Sequence, residues 1–326
     1  MVEVTQISIP ETIYVEWAGF LKETPVFALA DGRVIRAVSN LETITAHEGL
    51  LLAKFHADKA ALISGGEDGK VVRTNYIGDS ETIGSLGNRW INSLAISQTG
   101  AVAASSGKQV SVFTTDGKTI NIELERSAEG LAFAPKGLRL AIARFNGVEL
   151  RWVNSPQANQ FLEWAGAHVD VCFSPDGKTV VSTMQENALH GWRLSDQRHM
   201  QMTGYTTKVK STSWSKKGKW LATSGAPAAI VWPFRGKDGP MGKAPLELGI
   251  MGQTLVTHVC CHHQEDVIAV GYENGMIMVV KIDGGDIVSL RGGGDGEITS
   301  LNWHQSGTKL AYGSSEGEAG IIDISS

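Results

Sequence analysis

Short apolar runs recur along this chain at a nearly fixed spacing. Each closes on a bulky apolar residue just before a turn, at Phe20, Phe55, Ile96, Phe133, Phe173, Trp214, Cys261 and Trp303. The intervals between these anchors are 35, 41, 37, 40, 41, 47 and 42 residues. Glycine stands four positions after five of them, in Ser97-Gln98-Thr99-Gly100, Ala134-Pro135-Lys136-Gly137, Ser174-Pro175-Asp176-Gly177, Ser215-Lys216-Lys217-Gly218 and His304-Gln305-Ser306-Gly307. Such turns have a mechanism, because proline presets φ and glycine takes the positive-φ position.

A second landmark is locked to the first. Val38, Thr74, Phe113, Trp152, Trp192, Trp232, Val280 and Ile322 lie 17 to 19 residues after their anchors. Between the two landmarks runs a small-residue strand, such as Leu140-Ala141-Ile142-Ala143 or Leu221-Ala222-Thr223-Ser224, and then often a glycine turn, such as Asp68-Gly69 or Asn146-Gly147. A further strand, such as Leu41-Glu42-Thr43-Ile44-Thr45, precedes the next anchor strand. Four short strands in ~40 residues make one propeller blade. Eight anchors predict an all-β chain of eight four-stranded blades in one domain over residues 1–326, with seven as the alternative count. The final unit ends after its third strand at Ile321-Ile322-Asp323-Ile324, so the strand Val4-Thr5-Gln6-Ile7-Ser8 is expected to complete it. That closure would leave only short, protected edges.

The repeat resembles that of the WD-repeat family, over essentially the whole chain. Phe173-Ser174-Pro175-Asp176-Gly177 with Trp192 carries the likeness, as does Leu41-Glu42-Thr43-Ile44-Thr45-Ala46-His47 followed by Ile63-Ser64-Gly65-Gly66-Glu67-Asp68-Gly69. The family's repeat links a loop histidine, a strand serine, a turn aspartate and a strand tryptophan. His47, Ser64 and Asp68 match three of these roles, and Thr74 stands where tryptophan is expected.

Composition narrows the function classes. Hydrophobic residues are 42% and charged residues 19%, which fits a well-packed soluble domain. No run of ~18 apolar residues suggests a membrane span. The opening Met1-Val2-Glu3-Val4-Thr5-Gln6 lacks the basic and apolar regions of a secretory signal. Three cysteines, two of them vicinal at Cys260 and Cys261, do not form a disulfide framework and suit the reducing cytoplasm. A net charge of −5 argues against general nucleic-acid binding, which needs basic surface.

Chemistry has few candidates. His258, Cys260, His262 and His263 offer zinc-ligand types, which gives a metal-binding or metal-homeostasis role as an alternative function. Register opposes it: Cys261 fills an anchor slot and His262 a turn slot, and no CxxC or HxxxH spacing is present. Arg291-Gly292-Gly293-Gly294-Asp295-Gly296 precedes a strand and not a helix, so it reads as a loop and not a phosphate cradle. Glu129, Asp170 and Lys210 open inner strands and could form a polar site, giving a propeller enzyme as a second alternative.

The leading expectation is a non-catalytic, monomeric scaffold without cofactor, holding protein partners. Loops on a rigid frame carry recognition. In the family that the repeat resembles, one face is built from the loops entering the inner strands and the turns between second and third strands. That face would carry Arg89, Trp90, Arg126, Phe145, His168, Lys208, Tyr272 and Glu316. Aromatic and arginine side chains are the usual anchors of protein interfaces.

Overall fold

A computed structural model of the chain describes every residue except Met1, Pro10, Pro156, Lys237 and Ser326. Strands are its only regular elements among the described residues, and they form seven antiparallel sheets. They group into two compact units, one of Met1–Ala30, Val34–Thr43 and Gly204–Ser326, the other of Asp31–Arg33 and Ile44–Thr203.

The first unit is built on four sheets of four strands. Three take their strands in chain order, opening on Val15–Leu21, Thr212–Trp214 and Val256–Cys261. The fourth runs Ile298–Trp303, Lys309–Ser314 and Ala319–Asp323, and its outer strand is Glu3–Ile7 from the other end of the chain. Glu3 pairs with Asp323 and Ile7 with Ala319, so the unfinished last repeat is completed as its sequence leads one to expect.

The second unit has two four-stranded sheets, opening on Leu50–Phe55 and Ser93–Ile96, and one sheet of six strands. That last sheet corrects the expectation of eight separate blades; the sheets number seven, the alternative count. The anchors Phe133 and Phe173 fall in the same sheet. The physical reason is two long strands, Arg139–Trp152 and Gln160–Phe173, each of 14 residues. Both continue through positions that the repeat reads as breaks. Asn146 does take a positive φ of 68°, as an Asn-Gly turn asks, and the pairing register shifts between Phe145 and Gly147. Hydrogen bonding nevertheless carries on past it, with Phe145 opposite Ala167.

The strands in the second position of their sheets are largely buried, wholly so in Ala61–Gly66 and Val102–Ser106. Outer strands are mostly exposed, as in Thr119–Glu123, where only Ile122 is buried. The small residues of the buried strands let a neighbouring sheet approach closely. Val15, Ala18 and Phe20 share a core with Ala311 and Ala319 of the fourth sheet of the first unit. A methyl group on Gly313 would sit 2.4 Å from a Val15 side-chain carbon, and one on Gly271 would sit 2.5 Å from Ile298. The second unit repeats the device, with Gly65 against Ile91.

Hydrogen bonds between sheets reinforce this packing. Ser300 Oγ accepts from the Ala18 amide at 2.9 Å, Ser211 Oγ from Val259 at 3.1 Å, and, in the second unit, Ser93 Oγ from Leu131 at 3.0 Å. Inner strands also carry a bulge at their entry, at Glu16, Thr257 and Thr299 in the first unit and at Leu51 and Val169 in the second. Thr257 Oγ1 donates from its bulge to Ile298 O at 2.7 Å, and Thr299 Oγ1 donates to Val15 O at 2.6 Å. The connection 234–243, which lies within the longest anchor interval, includes Lys237, which lies outside the described residues. Its Gly239 and Pro240 are buried, and Lys243 Nζ donates to Gly239 O at 2.7 Å.

Two outcomes are expected. Deleting residues 2–9 removes the outer strand and the contacts of Ile7 and Ile9 with the Val15–Phe20 core, and should lower the melting temperature by at least about 5 °C. A truncated chain that melts with the full one would refute the role given to this pairing. Gly313→Ala, a substitution of small size, should destabilise by ~1–3 kcal/mol in denaturant unfolding, because Val15 is fixed by its own strand and has little room to yield.

Candidate functional site

Buried polar groups persist in a core only when they are hydrogen-bonded. The second unit has such a network where the sequence places it. His47 Nε2 lies 2.8 Å from Ser64 Oγ, and His47 Nδ1 lies 3.1 Å from Asp68 Oδ1. Thr74 is fully buried at the tryptophan position, and its hydroxyl meets Ser80 Oγ at 3.2 Å.

Two further versions escaped the sequence reading. His168 Nδ1 bonds Ser182 Oγ at 2.7 Å, its Nε2 donates to Trp164 O at 2.9 Å, and its ring lies 5.7 Å from that of Trp192. Glu186 takes the place of the turn aspartate and accepts from the Ala167 amide at 3.1 Å. In the first unit Tyr205 replaces the histidine. Its hydroxyl meets Thr223 Oγ1 at 2.7 Å and accepts from Trp232 Nε1 at 2.6 Å. The available signal was the order of residue types: an imidazole or phenol, then Ser or Thr, then tryptophan nine or ten residues on.

His168 is therefore core, not surface, and the expectation that it lines a binding face is corrected. Tyr272 is corrected likewise. It is fully buried, and its hydroxyl donates to Gly249 O and lies 3.5 Å from Met278 Sδ. Both side chains turn inward because each has a buried acceptor to meet.

The His/Cys strand is also structural in its geometry. Cys261 Sγ donates to Ser213 O at 3.3 Å, and burial pushes its thiol up to about 12, so it stays protonated. His262 Nδ1 accepts from the Gln264 and Glu265 amides, and its Nε2 donates to Gly307 O at 3.1 Å. His263 Nε2 donates to Gln305 O at 2.8 Å, and burial holds the His258 imidazole down to about 4. Among the described residues no three His, Cys, Asp or Glu side chains converge as a metal site would require. Lys210, at the entry of its inner strand, pairs with Glu297 at 3.3 Å. At the neighbouring bulge, burial raises the Glu16 carboxyl to about 7.

The remaining expected residues are exposed: Arg89, Trp90, Arg126 and Phe145 in the second unit, and Lys208 and Glu316 in the first. The four in the second unit join in one strip. Trp90 is 59% exposed and Phe145 48%. Arg89 donates to Gln109 Oε1, beside Lys108. The 107–108 turn accepts from the Leu124 and Ala128 amides at 2.9 and 2.8 Å, on either side of Arg126. The Arg126 guanidinium lies 5.4 Å from the centre of the Phe145 ring. Such a strip offers apolar area and cationic donors together, without a nucleophile–base pair.

A second aromatic group lies in the same unit. Trp164 stacks on His190 at 3.9 Å, and His190 Nε2 lies 3.0 Å from His199 Nδ1. Burial, then the neighbouring His199 and His168, holds the His190 imidazole down to about 3, against an ordinary value of 6.5. Burial also lowers His168 and His47. The unfolded chain therefore takes up these protons first. Stability is full above pH 6.5 and falls as pH drops towards 3. Melting temperature should decline between pH 7 and 4.5, and His190→Gln should decline less steeply over that window. Equal slopes for the two proteins would remove His190 from the acid response.

The comparisons with known proteins fit this geometry. Residues 259–326 match the family described as the anaphase-promoting complex subunit 4 WD40 domain. Human Gem-associated protein 5 is 29% identical over 99 residues, which is 29% of this chain and 6% of that protein, so the chain matches only a small part of that relative. Among solved structures, the computationally designed Ika8 protein has a TM-score of 0.77 at 18% identity, over 96% of this chain and 97% of its own. The Dos1 propeller has a TM-score of 0.79 at 13% identity, over 98% and 95%. At these identities the two structures bear on the fold alone. The comparisons thus show a β-propeller fold, and with the repeat and the His47–Ser64–Asp68 network they make this chain similar to WD-repeat propellers, with residues 259–326 matching a WD40 domain.

Proposed function

We propose that this chain is a non-catalytic scaffold, a single propeller over residues 1–326 that acts as a monomer in the cytoplasm and presents loops to protein partners. WD-repeat propellers generally mediate protein–protein interaction, and the matched names describe a complex subunit and an associated protein. The observation that carries the reading is Trp90. It is a large aromatic side chain, mostly exposed, at the entry to an inner strand where no core needs it. Contiguous arginine and aromatic side chains are the groups that dominate interface energies. Lys208 and Glu316 are proposed as further contacts.

The test is capture from a native lysate with the full chain as bait, followed by Trp90→Ala and Arg89→Ala. Each substitution should cost about 2 kcal/mol or more of binding to the captured partner. Melting temperature should stay unchanged, because neither side chain fills a core. Capture that survives both substitutions would move the binding face elsewhere.

A further inference from the structure

A recess of about 200 Å³ opens in the first unit, between the turn that follows Val15–Leu21 and the sheet completed by Glu3–Ile7. Phe20, Pro25 and Ile321 form its apolar part. Glu3, Glu23 and Asp323 bring carboxylates to it from three separate segments of the chain. Lys309 is the one lysine or arginine among the described residues lining it, and it already pairs with Asp323 at 3.6 Å. Lys22 shares the turn of Glu23 but does not line the recess. The lining therefore sets three carboxylates against one ammonium. Glu3 has no ion pair among the described residues.

His304 forms the inner wall. It is 5% exposed, and its ring packs edge-on to Phe20 at 4.9 Å. Its Nδ1 accepts from the Ser306 amide at 3.2 Å, so the proton sits on Nε2. That Nε2 lies 3.1 Å from Glu23 Oε2 without the alignment of a hydrogen bond, which leaves a buried donor unsatisfied. The other oxygen of Glu23 accepts from Gln305 Nε2 at 2.8 Å. Glu23 is thus oriented by one bond, with the rest of its acceptor capacity open.

We infer that this recess takes an arginine side chain from a partner protein, its stem on Phe20, Pro25 and Ile321 and its guanidinium among the three carboxylates. Charge complementarity selects a cation. Volume selects a side chain, because pockets for small ligands run to roughly 300–1,000 Å³. The apolar part selects arginine over lysine, since a guanidinium is weakly hydrated and stacks on rings, whereas an ammonium holds its water. A metal ion does not fit: among the described residues no three His, Cys, Asp or Glu side chains converge closely enough to hold one. A guanidinium spreads its donors over a wider plane. Drawing Glu23 into the recess would also align its Oε2 with the unsatisfied His304 Nε2. None of these residues belongs to the Trp90 strip, so the inference stands or falls independently of the proposed reading of that strip.

The test measures binding of the full chain to labelled pentapeptide libraries by fluorescence anisotropy at ~50 mM NaCl, where charge pairing is least screened. The centre position is fixed as arginine, lysine, alanine or glutamate, and the other positions are uncharged. Arginine-centred peptides should bind at least about fivefold better than lysine-centred ones and about tenfold better than alanine-centred ones. That preference should disappear in the Glu3→Gln, Glu23→Gln double variant. Lys309→Ala, which frees Asp323, should tighten arginine-centred binding by about twofold or more. Glu3, Glu23 and Lys309 are exposed, and an unchanged melting temperature verifies that each variant is folded. Lysine-centred peptides binding as well as arginine-centred ones, a preference for glutamate, no binding by any library, a preference that survives the double variant, or weaker binding in Lys309→Ala would each overturn the inference. So would loss of the preference in Trp90→Ala, which would put the peptide on the other candidate surface.

Discussion

The structure depends on hydrogen bonds that cross from one inner strand to the next. Inner strands are the edges of their sheets, so the backbone groups on their free side and at their entry bulges have no partner within the sheet, and buried backbone groups without partners are costly. Hydroxyls of a neighbouring sheet take them up: Thr257 at Ile298 and Thr299 at Val15 beside the bulges, and Ser300 at Ala18 and Ser211 at Val259 further along. These bonds fix each sheet to its neighbour in register as well as in distance. The close approach they need is provided by glycine at the ends of the buried strands, as at Gly271 and Gly313. Packing and polar satisfaction therefore impose one geometry, which is why small residues crowd the second strands.

The same economy explains the histidines. His47, His168 and His262 all sit where an imidazole can join two hydrogen bonds at once. An imidazole can donate from one nitrogen and accept at the other, so it bridges a turn and a strand better than a hydroxyl can. Burial keeps His47 and His168 neutral, and the networks are tuned to that form. Their role is to hold turns, and the polar chemistry of the chain is largely spent on architecture. Trp90 stands outside that economy, since it is 59% exposed and fills no core.

The repeat was legible in the sequence because its signals are local. A turn glycine needs only its own positive φ, and an anchor only its own strand, so the units, their order, the completing N-terminal strand and the His47–Ser64–Asp68 network could all be read from spacing. The sheet count and the inward course of His168 and Tyr272 could not. Whether hydrogen bonding stops at Asn146 or runs on into Ala167 is decided by the next strand, whose partner for Phe145 stands more than twenty residues along the chain. Whether a loop-entry histidine faces solvent or Ser182 is decided by where that hydroxyl lies once the sheet has formed. Likewise Trp90 and Trp164 are both tryptophans with no slot in the repeat, but only the folded chain stacks one on His190 and leaves the other 59% exposed. Periodicity along a chain is set by each residue's own backbone; burial, pairing and charge neutralisation are set by neighbours that only the tertiary structure brings together.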